Sequence, residues 1–435
     1  MTFGTADRSR MLLGSDSEGI EEGKSMNDQR LNPTESRLVH LDVVRSFALL
    51  GILLVNFEWF NRPIQAIVLG GDAGTGLDLV AGGLITVLAE GKFYPLFSML
   101  FGAGFALMAE RALERDAPFW GVYLRRLLLL ALFGLAHMLL IWSGDILLVY
   151  ALTAFVMVAL FRKTPARRLW KWALAFIALP ILLMWLGTAS IELSRLDSEV
   201  HGEVMANFEQ DETRMREHVD RAAEVHAHGS WTENVGQRSR DMAFLFGFAL
   251  FWIPPILGFF LIGRWLIVSG RLTSPERHRA WFRRWRTLGF GLGLPLAVIA
   301  AWLMADANMM QPTLAVAAGG TLAATAGVLM PLGYLSALTL GARRLAFLAP
   351  AGQMALTNYL LQSTFWTWMI YGYGFGLWGQ IPRSVQLVLA VAFFAVQVLV
   401  SGWWLGRFRY GPAEWLWRSL TYWRLQPMRR RSISS

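Results

Sequence analysis

Residues 122–161, VYLRRLLLLALFGLAHMLLIWSGDILLVYALTAFVMVALF, decide the fold. Two apolar runs, 122–142 and 145–161, are separated only by Ser143-Gly144. A helix crossing the hydrocarbon core needs about 20 mostly apolar residues, so each run reads as a membrane span. A joint this short makes the two helices antiparallel neighbours. The same criterion predicts ten spans: 43–60, 92–110, 122–142, 145–161, 169–189, 243–268, 286–305, 312–341, 352–372 and 384–406. The amphipathic run 77–91 either extends the second span or lies along the surface, and 312–341 is long enough to tilt or to break near Pro331 and Gly333.

The whole chain agrees with this reading. Its 435 residues are 55% hydrophobic and only 16% charged, against roughly 25% charged in soluble domains. Soluble globular, disordered, collagenous and coiled-coil classes are excluded. The 20 Trp and 28 Phe fit rings at bilayer interfaces. With no cysteine, disulfides, thiolate metal sites and cysteine nucleophiles are excluded.

The net charge of +9 is a topology signal. Cytoplasmic loops hold the excess Lys and Arg, and every second loop here is basic. Arg111, Arg115, Arg125 and Arg126 follow the second span; Arg162, Lys163, Arg167, Arg168 and Lys171 follow the fourth. The segment after the sixth carries Arg271, Arg277, Arg279, Arg283, Arg284 and Arg286 against Glu276. Arg343 and Arg344, then Arg407, Arg409, Arg418, Arg424 and Arg429 to Arg431, complete the alternation. Both termini are therefore expected in the cytoplasm. Basic residues scattered over separate loops do not build a nucleic-acid surface. The expected fold is an all-α polytopic helix bundle of about ten transmembrane helices, multi-pass in the bacterial inner membrane. Its expected parts are a polar tail (1–36) lacking a secretory h-region, a first membrane half (37–190), an extracytoplasmic helical insertion (191–241), a second membrane half (242–425) and a basic tail (426–435).

The insertion departs from the rest. With the residue before it, it holds 12 acids and 6 arginines. Its apolar residues, from Leu193 to Val219, recur at three- and four-residue steps, which predicts an amphipathic helix capping the outer face. Four of the seven histidines lie here, His201, His218, His226 and His228. His226 and His228, two apart, do not share a helix face, and no metal site is expected.

Ionisable and amide groups at membrane depth are costly and face a bundle interior or a wet cavity. Asn56 and Glu58 lie at the end of the first span, Lys92 at the start of the second, and His137 about five residues from the end of the third. Asp145 starts the fourth. The topology places these five at similar depth near the outer leaflet. Each has a plainer role: Asp145 as a helix N-cap, His137 bonding a neighbouring helix, Lys92 snorkelling, Glu58 solvated. Asn358 and Gln362, four apart on the ninth span, share a face and serve either as interhelical glue or as a substrate-facing stripe. Asp42 and Arg45 read as a cap and local ion pair, Arg264 as snorkelling. Gly102, Gly104 and the Gly289/Gly293 pair read as close-approach positions.

Five blocks carry a resemblance: LDVVRSFALLGILLVNF (41–57), GKFYPLFSMLFGAGF (91–105), GLAHMLLIWSGDILLVYAL (134–152), GQMALTNYLLQS (352–363) and RYGPAEWLWRSLTY (409–422). In this order they resemble the YeiB-like bacterial membrane proteins, the domain-of-unknown-function 418 family. The first half looks like the broader transmembrane acyltransferases, which include heparan-glucosaminide acetyltransferase-like proteins. The resemblance implies acyl transfer from a cytoplasmic donor across the membrane, using a histidine. On that reading His137 is the base and Asp145 orients it, while Lys92 or Asn56 stabilises the oxyanion. Asn56, Glu58, Trp142, Asn358, Gln362 and Arg418 are the expected substrate contacts. Acyl-coenzyme A is the expected donor, attracted by basic loops such as 271–286, and a small molecule or envelope component the acceptor. The competing expectation is a transporter whose Lys92, Asp145 and His137 carry protons.

Overall fold

A computed structural model describes residues 38–70, 74–114, 119–247, 249–305, 307–311 and 313–430. The tail 1–36 lies outside the described residues. Those described are helical, apart from loops and one isolated antiparallel bridge between Phe408 and Arg429. In chain order the helices that matter here are α1 (Val39–Phe60), α2 (Gly76–Leu88), α3 (Phe93–Glu114), α4 (Phe119–Leu140), α5 (Leu147–Phe161) and α6 (Ala166–Ser194). There follow α7 (Ser198–His228), α8 (Trp231–Gly247), α9 (Ala249–Val268), α10 (Arg279–Leu288), α11 (Leu294–Leu303) and α12 (Leu314–Gly341). The last four are α13 (Ala349–Gln353), α14 (Ala355–Ile370), α15 (Arg383–Arg407) and α16 (Pro412–Tyr422).

Among the described residues eight helical stretches are long and apolar enough to cross a membrane. The expected spans at 145–161 and 352–372 differ. The former is the 15-residue α5. The latter is broken at Met354 into α13 and α14. The run 77–91 forms its own helix, α2, exposing Leu77, Leu79 and Val80, and Gly91 turns the chain into α3 with φ +72°. No break occurs in α12, which runs through Pro331. A π-helical turn at Gly289–Gly293 joins α10 to α11.

Small residues set the helix spacing. A Cβ added at Gly102 would strike the Phe260 carbonyl, and one at Gly263 the Met99 carbonyl, so α3 and α9 cross backbone to backbone. Gly104, expected to do the same, faces open space. The outward faces carry exposed Leu128, Phe155, Leu160, Val388 and Leu399, as a lipid-facing surface requires. The buried polar groups lie on the inward faces.

The insertion is a helical hairpin rather than a single helix. It opens with Asp197, whose carboxylate accepts from the Glu199 and Val200 N–H groups as an N-cap. α7 returns through α8, which rests on the end of α4. Trp231 Nε1 and Arg238 both donate to the Leu140 carbonyl, at 3.1 and 3.0 Å. The Gly372 N–H donates to the His226 carbonyl at 2.8 Å, tying the hairpin to the segment after α14.

Two ionic expectations resolve locally. Arg45 pairs with Asp42 at 2.6 Å as expected. The Arg264 guanidinium donates to the carbonyls of Phe161, Arg162 and Thr164, at and just beyond the end of α5.

Candidate functional site

The α4–α5 joint builds the site. Gly134 lies one turn before His137. A side chain there would strike the Leu148 backbone and crowd the Asp145 carboxylate, so only glycine lets the start of α5 sit against α4. Asp145 is thereby brought level with His137. Trp142 is buried over Gly144 and meets the Phe60 ring edge-on at 4.7 Å between centroids, which holds the joint against α1.

Asp145 serves three groups. Its Oδ2 accepts the Leu148 N–H at 3.0 Å, the expected capping role. Its Oδ1 accepts the Tyr359 hydroxyl at 3.2 Å and lies 2.9 Å from His137 Nδ1. The imidazole is not aligned for a full hydrogen bond at this distance, and its Nε2 has no partner among the described residues. Both side chains are sealed, with 1% and 0% of their surface exposed. The Tyr359 ring packs beside the imidazole at 5.3 Å.

Of the five residues expected at this depth, the contacts join only His137 and Asp145. Lys92 folds back on its own turn, donating to the Thr86 carbonyl at 2.7 Å. Glu58 is not left to solvent, since Arg62 and Arg383 each approach its Oε1 at 2.9 Å. Asn56 is half-buried and makes no hydrogen bond with a described residue. A second histidine also lies in a span. α1 starts earlier than expected and includes His40, whose ring is bonded to the Leu272 carbonyl at 3.0 Å.

Asn358 and Gln362 form glue between α14 and α15. Gln362 Nε2 donates to Gln397 Oε1 at 2.8 Å, and Gln397 Nε2 to the Asn358 carbonyl at 3.0 Å. Asn358 Nδ2 reaches Ser401 Oγ at 3.0 Å and the Ala351 carbonyl at 3.1 Å. Arg418 stacks on Tyr410, 4.8 Å from the ring centroid, far along the chain from the His137 joint.

Two functional-looking residues escaped the sequence reading. Tyr359 adjoins Asn358 but points to the other side of α14, in line with buried Ser363 and Thr367 at four-residue steps. That second polar stripe was the available signal. Glu414 of α16 accepts the Leu356 and Thr357 N–H groups at 2.6 and 3.1 Å, with the Thr357 hydroxyl. It caps α14 from a distant helix, which ties the 352–363 block to the 409–422 block. Burial pushes the Glu414 carboxyl above its ordinary value, against the pull of those donors.

Over the joint, α7 and α8 enclose a second polar cluster. Asp241 accepts from His218 Nε2 at 3.0 Å and Gln237 Nε2 at 2.9 Å, with His226 Nε2 at 3.8 Å. His226 Nδ1 meets Asn234 Oδ1 at 2.7 Å, and the ring stacks on Tyr371 at 4.7 Å. Burial pushes the His226 imidazole below its ordinary value, opposed by Asp241 and Asn234.

These features define an all-α polytopic membrane protein with a buried His–Asp–Tyr centre at one helix joint. The family described as Protein of unknown function (DUF418) matches residues 266–424. The Uncharacterized protein YxaH of Bacillus subtilis (strain 168) is 32% identical over 415 residues, covering 92% of this chain and 98% of that protein. The Uncharacterized protein YeiB of Escherichia coli (strain K12) is 30% identical over 398 residues, covering 88% and 96%. The chain belongs to this DUF418 family of YeiB-like proteins. No solved structure matches it.

Proposed function

We propose that the protein transfers an acyl group to a hydroxyl or amine of a small-molecule or envelope acceptor, in the bacterial inner membrane, with His137 as the general base. One observation carries this reading: a sealed imidazole whose Nδ1 faces a carboxylate and whose Nε2 is left unpartnered. A buried polar atom without a partner costs about 1–3 kcal/mol. A group that interacts in the reaction is a reason to retain that cost.

The chemistry follows from the arrangement. Nε2 accepts the acceptor proton as its oxygen or nitrogen attacks the acyl carbonyl. Asp145 orients the ring and stabilises the imidazolium. Collapse of the tetrahedral intermediate breaks the bond to the leaving group, which takes the same proton from Nε2. A thioester such as acyl-coenzyme A suits the donor role, because its thiolate leaves readily and needs little acid assistance. Tyr359 donates to the same Asp145 oxygen that faces His137 Nδ1 and is a positioning residue.

The test is compartmental. Full-length protein is placed in liposomes with a radiolabelled acyl thioester on one side and candidate acceptors on the other. Label covalently attached to an acceptor supports the proposal. Passage of unmodified solute, with no covalent product from any donor, overturns it in favour of a carrier.

A further inference from the structure

At the other end of α4 several arginines come together, and the described acids beside them are already engaged. The Arg126 guanidinium lies on the Trp417 ring, 4.0 Å from its centroid, and the Trp417 indole N–H donates to the Arg126 carbonyl at 3.1 Å. This two-way contact fixes the guanidinium flat against α16. The next residue, Arg418, is stacked on Tyr410. Arg45 reaches the Gly352 carbonyl at 3.5 Å, beside the start of α14 that Glu414 of α16 caps. Arg125 adds a buried Nε with no partner among the described residues.

The acids nearby are already engaged. Asp42 pairs with Arg45. Glu414, one turn before Arg418, has both oxygens committed to the start of α14. The side chains of Arg126 and Arg418 donate to no described group. Ring stacking occupies the faces of a guanidinium and leaves its N–H edge available, the edge that binds phosphate bidentately. Cations at a span end without acidic partners are costly, and such groups mark binding sites.

We infer that Arg126 and Arg418, with Arg45 beside them, form a binding site for a phosphate-bearing anion where α16 packs on the start of α4. The shared chemistry is a phosphoryl group with uncompensated negative charge, supplied either by an anionic lipid headgroup or by a soluble phosphate compound. The Trp and Tyr platforms hold the guanidinium groups in place for the anion. The inference is independent of any proton transfer at His137, because it is read by binding alone.

The experiment uses the full chain in phosphatidylcholine nanodiscs. Melting temperature is followed while inorganic pyrophosphate is titrated, and separately while phosphatidylglycerol replaces part of the lipid. A rise with phosphatidylglycerol alone identifies the headgroup; a saturable rise with pyrophosphate identifies a soluble phosphate. The R126Q/R418Q double variant is expected to lose the rise or to need at least tenfold more probe. The single variant Arg418→Gln, half-exposed and outside the spans, is expected to weaken the response in the same direction if the double variant fails to fold. No rise with either probe, or an unchanged rise in Arg418→Gln, overturns the inference.

Discussion

Replacing Asp145 by alanine removes three interactions at once, and the structure sets their sizes. The Leu148 N–H loses its cap, worth about 1 kcal/mol. The Tyr359 hydroxyl loses its acceptor in a sealed site, about 1–3 kcal/mol. The His137 ring loses its carboxylate, about another 1–3 kcal/mol. These groups touch one another, so their losses do not simply add. The expected destabilisation is on the order of 3 kcal/mol. Asp145→Asn keeps an oxygen for Leu148 or Tyr359 and the volume of the side chain, so it should cost on the order of 1 kcal/mol. The assay is reversible unfolding of the purified protein in mixed micelles, followed by near-ultraviolet circular dichroism. A Tyr359→Phe background sharpens the result, because the Asp145→Ala loss should shrink there if the hydroxyl contact is real. Equal destabilisation by Asn and Ala, or a loss below about 0.5 kcal/mol for Ala, would refute the three-way role of Asp145.

Glu414→Ala should uncap α14 and lower stability by about 2 kcal/mol or more, since two backbone donors and a hydroxyl lose their acceptor together. Glu414→Gln, which keeps one accepting oxygen, should lose less in the same unfolding titration, and the reverse order would contradict the cap. Acidification should loosen the α7–α8 hairpin. The folded His226 imidazole sits below its ordinary value because burial outweighs Asp241 and Asn234, so below about pH 6.5 the unfolded state binds the extra proton first and stability falls. His218, Arg238 and Asp241 face the same ring or its partners, and His226→Gln should flatten the melting-temperature profile between about pH 7 and 5. An unchanged slope in that variant would place the titration elsewhere.

The sequence made the His137–Asp145 approach legible because both residues lie close to a short joint, expected at Ser143-Gly144 and found over 141–146, where chain connectivity alone forces proximity. It made α7 legible through its periodicity. Tyr359 was hard to single out because its partner is 214 positions away, and its four-residue spacing to Ser363 and Thr367 marks a buried face without naming what that face meets. Lys92 was misplaced for a related reason: depth along the bilayer does not specify position around the bundle, and the Gly91 turn leaves the lysine beside the Thr86 carbonyl. The break at Met354 has no proline or glycine at the breaking residue. It depends on a carboxylate delivered from α16, a contact that composition and periodicity do not encode.

In the proposed mechanism His137 Nε2 takes the acceptor proton. The most direct measurement is acyl-transfer rate in liposomes for wild type and His137→Gln, with melting temperature recorded on the same samples. A properly placed general base contributes about 10²–10⁴-fold. The expected result is a loss in that range at a melting temperature close to wild type, whereas full transfer activity without the imidazole contradicts the proposed role of His137.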